Sequence, residues 1–262
     1  MTSAAMHIAR TGLDAQDTRM RVISNNLANV NTTGFKRDRA AFETLAYQVV
    51  TSPGAASTSE TRYAMGLNLG TGVRVQGTAR IDTQGAMQTT GNSLDLALDG
   101  DGYFQVQLPG GQLGYTRAGN FSRSPEGLLV TSEGYQLQPG ITVPEGATAI
   151  TIGTDGTVSA TVAGQTEPSE LGQIQVASFA NGAGLQPTGD NFLTETAASG
   201  AANLGVAGLE GRGRVRQGML ESSNVNVVEE LVDMIETQRA YEVNSKMISA
   251  TDDMLKYVNQ NL

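Results

Sequence analysis

Between residues 6 and 30, apolar side chains return at alternating steps of three and four: Met6, Ala9, Leu13, Met20, Ile23, Leu27 and Val30, with Gln16 as the one polar member. A mean repeat of about 3.5 residues marks a seam along one face of a helix. No proline interrupts the segment, and Gly12 is its one weak helix former. Thr32-Thr33-Gly34 predicts the end of the helix, because glycine accepts a left-handed cap. The same steps taken from Val227 pass through Leu231, Met234, Gln238, Tyr241, Ser245, Ile248, Asp252 and Leu255. This second seam is poorer, and Val228, Val232 and Ile235 widen its start. Asn226, with Glu229 three residues on, has the spacing of a capping box. Two terminal helices are expected, the first of about 42 Å and the second of about 52 Å at ~1.5 Å per residue.

The middle of the chain has another pattern. From about residue 74 to 200, turn pairs such as Asp99-Gly100, Asp101-Gly102, Pro139-Gly140 and Asp155-Gly156 separate short runs of strand character. Examples of these runs are residues 103–108, 128–131 and 149–152. Hairpins in series predict an all-β domain. Residues 46–72 are small and polar and read as loop or extended arm. Residues 200–221, with Gly205, Gly208, Gly211, Gly213 and Gly218 among Arg212, Arg214 and Arg216, form the return joint.

The expected fold is therefore α+β. Residues 1–34 and 222–262 would form a coiled-coil-like helical domain, residues 35–73 and 201–221 connecting arms, and residues 74–200 an inserted all-β domain. Each helix carries an apolar stripe that it cannot bury alone. The stripes pair either within a closed monomer or also with copies in neighbouring subunits. Residues 1–45 hold six basic and four acidic side chains, and residues 222–262 hold three basic and seven acidic, so opposite charge favours pairing of the two ends.

Composition removes most chemistry. The 262 residues include no cysteine and one histidine, His7, which excludes thiolate sites and leaves little room for a histidine-based triad or zinc site. A net charge of −9 argues against holding nucleic acid by phosphate neutralisation. No apolar run approaches the ~18 residues of a transmembrane helix. Charges at Arg10, Asp14, Asp17, Arg19 and Arg21 do not suit a cleaved secretory leader. Asp95, Asp99 and Asp101 lie close together, but Asp-Gly is a hairpin turn. A glycan-cleaving enzyme, which needs an acidic pair, has no other obvious cluster. Spaced glycines at 66–72 and 205–213 lack the spacing of a phosphate loop. The basic run Lys36-Arg37-Asp38-Arg39 reads as a solvated helix end or a contact for an acidic partner. No catalytic, cofactor-binding or metal-ligating residue is expected.

Two long motifs then point to a family. Residues 23–36, Ile-Ser-Asn-Asn-Leu-Ala-Asn-Val-Asn-Thr-Thr-Gly-Phe-Lys, resemble the amino-terminal signature of bacterial flagellar rod and hook proteins. Residues 223–226, 229–232 and 238–246 resemble the matching carboxy-terminal signature. Residues 98–106 and 115–121 resemble parts of the family's β-domain. Within the family, residues 46–66 resemble an insertion typical of distal-rod members; a hook or proximal-rod member is the alternative.

The resemblance implies a structural subunit of the basal body, exported across the periplasm without a cleaved leader. It implies polymerisation into a rigid hollow helical tube that passes torque from motor to hook, with β-domains as an outer shell. Its partners would be further copies of itself, proximal rod proteins, hook protein, the surrounding P- and L-ring proteins and the export apparatus. The interface would include Leu13, Met20, Ile23, Asn26, Leu27, Asn29, Leu231, Met234, Ile235, Tyr241, Ile248 and Leu255, with Arg239 and Glu242 as an intersubunit ion pair. Tyr47, Pro53, Gly54, Ser57, Ser59 and Glu60 would belong to an arm that stiffens the tube.

Overall fold

The computed structural model describes residues 2–56, 62–162 and 167–260. A helix stands at each end, and strands fill the middle. The chain divides into two compact units. Residues 1–27, 38–79 and 226–262 make a helical unit; residues 28–37 and 80–225 make a strand unit.

The helical unit contains α1 (Thr2–Ala28), β1 (Asp38–Thr44), β2 (Tyr47–Thr51), β3 (Leu67–Gly70), β4 (Val73–Arg80) and, at the far end of the sequence, α2 (Val227–Gln260). The two helices fall where the seams predict them. α2 runs 34 residues with no proline or glycine. The Asn226 side-chain oxygen accepts from the Val228 backbone N–H at 3.1 Å and caps its start. Glu229 and Glu230 in the first turn complement the helix dipole.

The segment that reads as loop or extended arm carries two short strands, of five and four residues. β1 pairs with β4, and β2 pairs antiparallel with β3 in register Tyr47 to Gly70 and Val49 to Asn68. The β-formers Val49, Val50 and Thr51 sit just before Pro53-Gly54, so local alternation existed, but small polar neighbours diluted it.

The strand unit follows with β5 (Met87–Thr89), β6 (Leu96–Asp99), β7 (Tyr103–Gln107), β8 (Leu113–Thr116), β9 (Ser122–Arg123), β10 (Leu129–Val130), β11 (Gln136–Gln138) and β12 (Ala147–Ile152). Then come β13 (Thr157–Val162), β14 (Ser169–Gln173), β15 (Gln175–Ser178), β16 (Gln186–Gly189), β17 (Phe192–Thr194), β18 (Asn203–Val206), β19 (Arg214–Gln217) and β20 (Met219–Glu221). All three runs expected as strands are present, as β7, β10 and β12. β7 is the centre of the largest sheet: β8 pairs along it, while β11 takes residues 105–107 and β15 takes residues 103–104.

Turn chemistry sets the hairpins. At Asp155-Gly156 the Asp155 carboxylate accepts from the Thr157 N–H at 3.1 Å and its hydroxyl at 2.8 Å. Gly156 has φ +86°, and a Cβ there would meet the Ile174 carbonyl, so a side chain is refused twice. After the turn, Val158 and Ala160 alternate into a core with Leu96, Leu98, Phe104, Phe121, Leu137 and Ile174.

The return joint is also structured. β19 pairs with β6, setting Arg216 beside Asp99 at 3.0 Å. That pair uses Asp99 to tie two strands together.

Candidate functional site

Within the helical unit α1 and α2 run antiparallel. Asn26, late in α1, meets Glu230, early in α2; Arg19 meets Asp233 at 3.1 Å; a Cβ on Gly12 would lie 3.1 Å from the Asn244 side chain. The covered side of α2 is thus mixed: Glu230 and Thr237 are buried, and the half-buried Met234, Ile248 and Leu255 fall on the same side. At about 100° per residue, Val228, Leu231, Val232 and Ile235 fall on the other side of the helix. They stay 69, 43, 51 and 51% exposed; Val243, Met247 and Met254 are exposed too, but on the flank of the helix and not in line with them. Near its start α2 therefore has two sides: one that meets α1 largely through polar side chains, and an apolar one left about half exposed or more among the described residues.

The residues expected in the seam divide accordingly. Ile23 and Asn26 are buried, while Leu13, Met20, Leu27 and Asn29 are half-buried. Met234, Ile248 and Leu255 are half-buried on α2. Leu231, Ile235, Arg239, Tyr241 and Glu242 are exposed. Sequence reasoning missed Glu230, Asp233, Thr237 and Asn244. Their spacing is helical, but a template that looks for apolar residues passes over them.

Asn26 is the centre of the polar grip. It is buried, and its amide donates to the Asp38 carbonyl at 2.9 Å and to the Glu230 carboxylate at 3.2 Å. Its oxygen accepts from the Asp38 N–H at 2.9 Å. One side chain thereby joins α1, β1 and α2. Asn26→Ala is expected to cost the helical unit about 2–4 kcal/mol. Denaturant unfolding followed through helical circular dichroism checks this, and a loss below about 1 kcal/mol contradicts it.

A second apolar surface lies on the β2–β3 hairpin. Tyr47, Val49, Val50, Met65, Leu67 and Leu69 are all exposed, Met65 by 84%. The turn is closed by Gly54 N–H to the Tyr63 carbonyl at 2.8 Å, and Pro53 packs so close to Gly66 that a Cβ there would clash. Pro53 and Gly54 are exposed. Ser57, Ser59 and Glu60 lie outside the described residues.

The strand unit holds a third feature, at the segments that lead out of α1 and into α2. The basic run expected to be a solvated helix end or a contact for an acidic partner begins with a buried Lys36, whose side chain is 4% exposed and 2.6 Å from Glu221. The reason lies 185 residues away in sequence, where no local pattern shows it. Glu221 also accepts from Arg117 at 3.2 Å and from the Gly85 N–H at 2.9 Å, and Lys36 donates to the Thr83 carbonyl at 2.8 Å. Arg117 and Arg80 both lie over the Tyr103 ring, and Arg80 pairs with Asp82 at 2.7 Å. Gly34, at φ +69°, presses on the Arg117 backbone, where a Cβ would come within 2.6 Å. The expected left-handed glycine is present, and its second role is close approach.

Burial pushes the Lys36 ammonium below its ordinary 10.5, against the pull of Glu221. Between that lowered value and 10.5 the unfolded chain binds the extra proton, so stability rises with pH. Burial raises the Tyr103 and Tyr115 phenols above 10.0, so their contribution is full below 10.0 and is lost as pH climbs through the raised values. Lys36→Met should remove the rising limb and keep the fall. Urea midpoints across a pH series spanning 10.5 test this, and an unchanged rising limb refutes it.

Comparison with known proteins covers almost the whole chain. Residues 6–36 match the family described as flagella basal body rod protein, residues 97–160 the flagellar hook protein FlgE/F/G D1 domain, and residues 216–261 the flagellar basal body rod FlgEFG protein C-terminal family. The chain is 51% identical over 256 residues to flagellar basal-body rod protein FlgG of Buchnera aphidicola from Acyrthosiphon pisum, covering 98% of each. It is 47% identical to FlgG of Caulobacter vibrioides over 98% of each chain. Similarity to FlgF of the same bacterium is lower, 34% over 96% of each.

Proposed function

The chain belongs to the flagellar rod and hook protein family and is a structural basal-body protein; from that premise we propose that it builds the distal rod. Copies polymerise into a rigid hollow tube that carries torque from motor to hook, with the terminal helices packed in its inner wall. The observation that carries this reading is the apolar face of α2 turned away from α1. Full burial of one Val, Leu or Ile is worth about 1.5–3 kcal/mol, so completing the burial of the four partly covered side chains Val228, Leu231, Val232 and Ile235 offsets part of the cost of association, about 4–15 kcal/mol. Contacts with copies that do not close on themselves yield a helical filament.

The exposed hairpin supports a stiffening arm over residues 46–66, seated on neighbouring copies. The subunit would span the periplasm, leave the cell interior without a cleaved leader through the export apparatus, and contact proximal rod proteins, hook protein and the P- and L-ring proteins.

Electron microscopy of the purified, concentrated chain tests the polymer: straight hollow filaments are expected, and monomers at every concentration refute it. Deleting residues 46–66 should give tubes that bend. Tubes as straight as the parent's would make the segment an ordinary loop.

A further inference from the structure

Glu221 gathers donors from three distant parts of the strand unit: Lys36, Gly85 and Arg117. Its side chain is fully buried, and those of Lys36 and Arg117 are 4 and 5% exposed. The backbone around them is cross-tied. Gly34 N–H donates to the Glu221 carbonyl at 2.8 Å, and Arg37 N–H donates to the Asn224 side chain at 2.7 Å. The Asn224 amide group in turn donates to the Ile81 carbonyl at 2.8 Å and the Thr83 carbonyl at 3.0 Å.

We propose that Glu221 is a shared latch: the segment leaving α1, residues 28–37, and the segment entering α2, residues 219–225, seat on the strand unit as one cooperative element and release together. The argument is electrostatic. With Glu221 withdrawn, Lys36 and Arg117 are two desolvated cations facing each other, and the flexible lysine relieves this by leaving. It takes with it the backbone bonds of residues 34–37 that hold Asn224 in place. With Lys36 withdrawn first, Glu221 loses its shortest partner, and the second segment loosens. Coupling of this kind is reciprocal by linkage.

The latch goes beyond the assembly reading and stands without it. Its consequence is an ordering rule. A chain made amino end first presents Lys36 and Arg117 early, but the latch closes only when residue 221 arrives.

Hydrogen exchange on the full chain tests the coupling. The decisive amides are those whose bond does not cross between the two segments. Ser222 N–H is bonded to the Ala86 carbonyl, and Ile81 N–H to the Arg37 carbonyl. Lys36→Met should speed exchange at Ser222 about tenfold, although that amide is bonded to Ala86 and not to Lys36, and leave the β13 amides unchanged. Glu221→Gln should likewise free Ile81. If Glu221→Gln does not fold, Lys36→Met still decides. Ser222 exchanging at the parent rate in Lys36→Met, or β13 loosening in step with it, overturns the latch.

Discussion

Ile235→Asp prevents filament formation and leaves a folded monomer. Ile235 is 51% exposed on the apolar face of α2, so the free chain tolerates a carboxylate there without losing a contact to α1. The proposed polymer would cover the same position, and an unpaired buried carboxylate costs about 3 kcal/mol or more, a hundredfold or greater rise in the concentration needed for assembly. Sedimentation of the variant beside the parent measures this. Parental filament yield, together with an unchanged circular dichroism spectrum, would remove α2's outer face from the assembly mechanism. A changed spectrum would instead place Ile235 in the monomer's own core.

Glu221→Gln destabilises the strand unit by about 3–5 kcal/mol, the usual cost of breaking a buried ion pair on one side. The amide keeps the shape of the carboxylate but leaves Lys36 and Arg117 without their shared counter-charge. Urea unfolding followed by tyrosine fluorescence reads the loss, because Tyr103 and Tyr115 both sit in the strand unit. Replacing all three partners by apolar residues (Lys36→Met, Arg117→Leu and Glu221→Leu) should recover most of the loss, since no charge is then stranded. A loss under about 1 kcal/mol in Glu221→Gln, or no recovery in the triple variant, contradicts the picture of a tightly coupled buried cluster.

How far the sequence discloses this molecule depends on the range over which each signal acts. Both helices are legible because Leu13, Met20 and Ile23, or Val227, Leu231 and Met234, recur within a turn or two. Turns such as Asp155-Gly156 were legible for the same reason. The segment of β2 and β3 reads as loop or extended arm because its two strands are only five and four residues long and flank a stretch rich in Ser, Gly and Ala. The partner of Lys36 was not legible at all: nothing near residue 36 announces a carboxylate at 221.

The face of α2 that grips α1 was hidden in another way. Glu230, Asp233, Thr237 and Asn244 keep helical spacing but are polar, and polar residues at such spacing ordinarily face water. The poor seam in α2 follows from this: its contact side mixes these polar residues with Met234, Ile248 and Leu255, while Val228, Leu231, Val232 and Ile235 lie opposite.

The most direct test uses the absence of cysteine from the chain. Ile235→Cys supplies one thiol on the outer face of α2, and Thr148→Cys supplies a control on an exposed strand position. Maleimide labelling is followed in dilute monomer and in filaments. Polymerisation through this face predicts fast labelling of the Ile235→Cys thiol in the monomer, slowed about a hundredfold in filaments, as for a buried core position. Equal labelling in both states, or a thiol already shielded in the dilute chain, would contradict it.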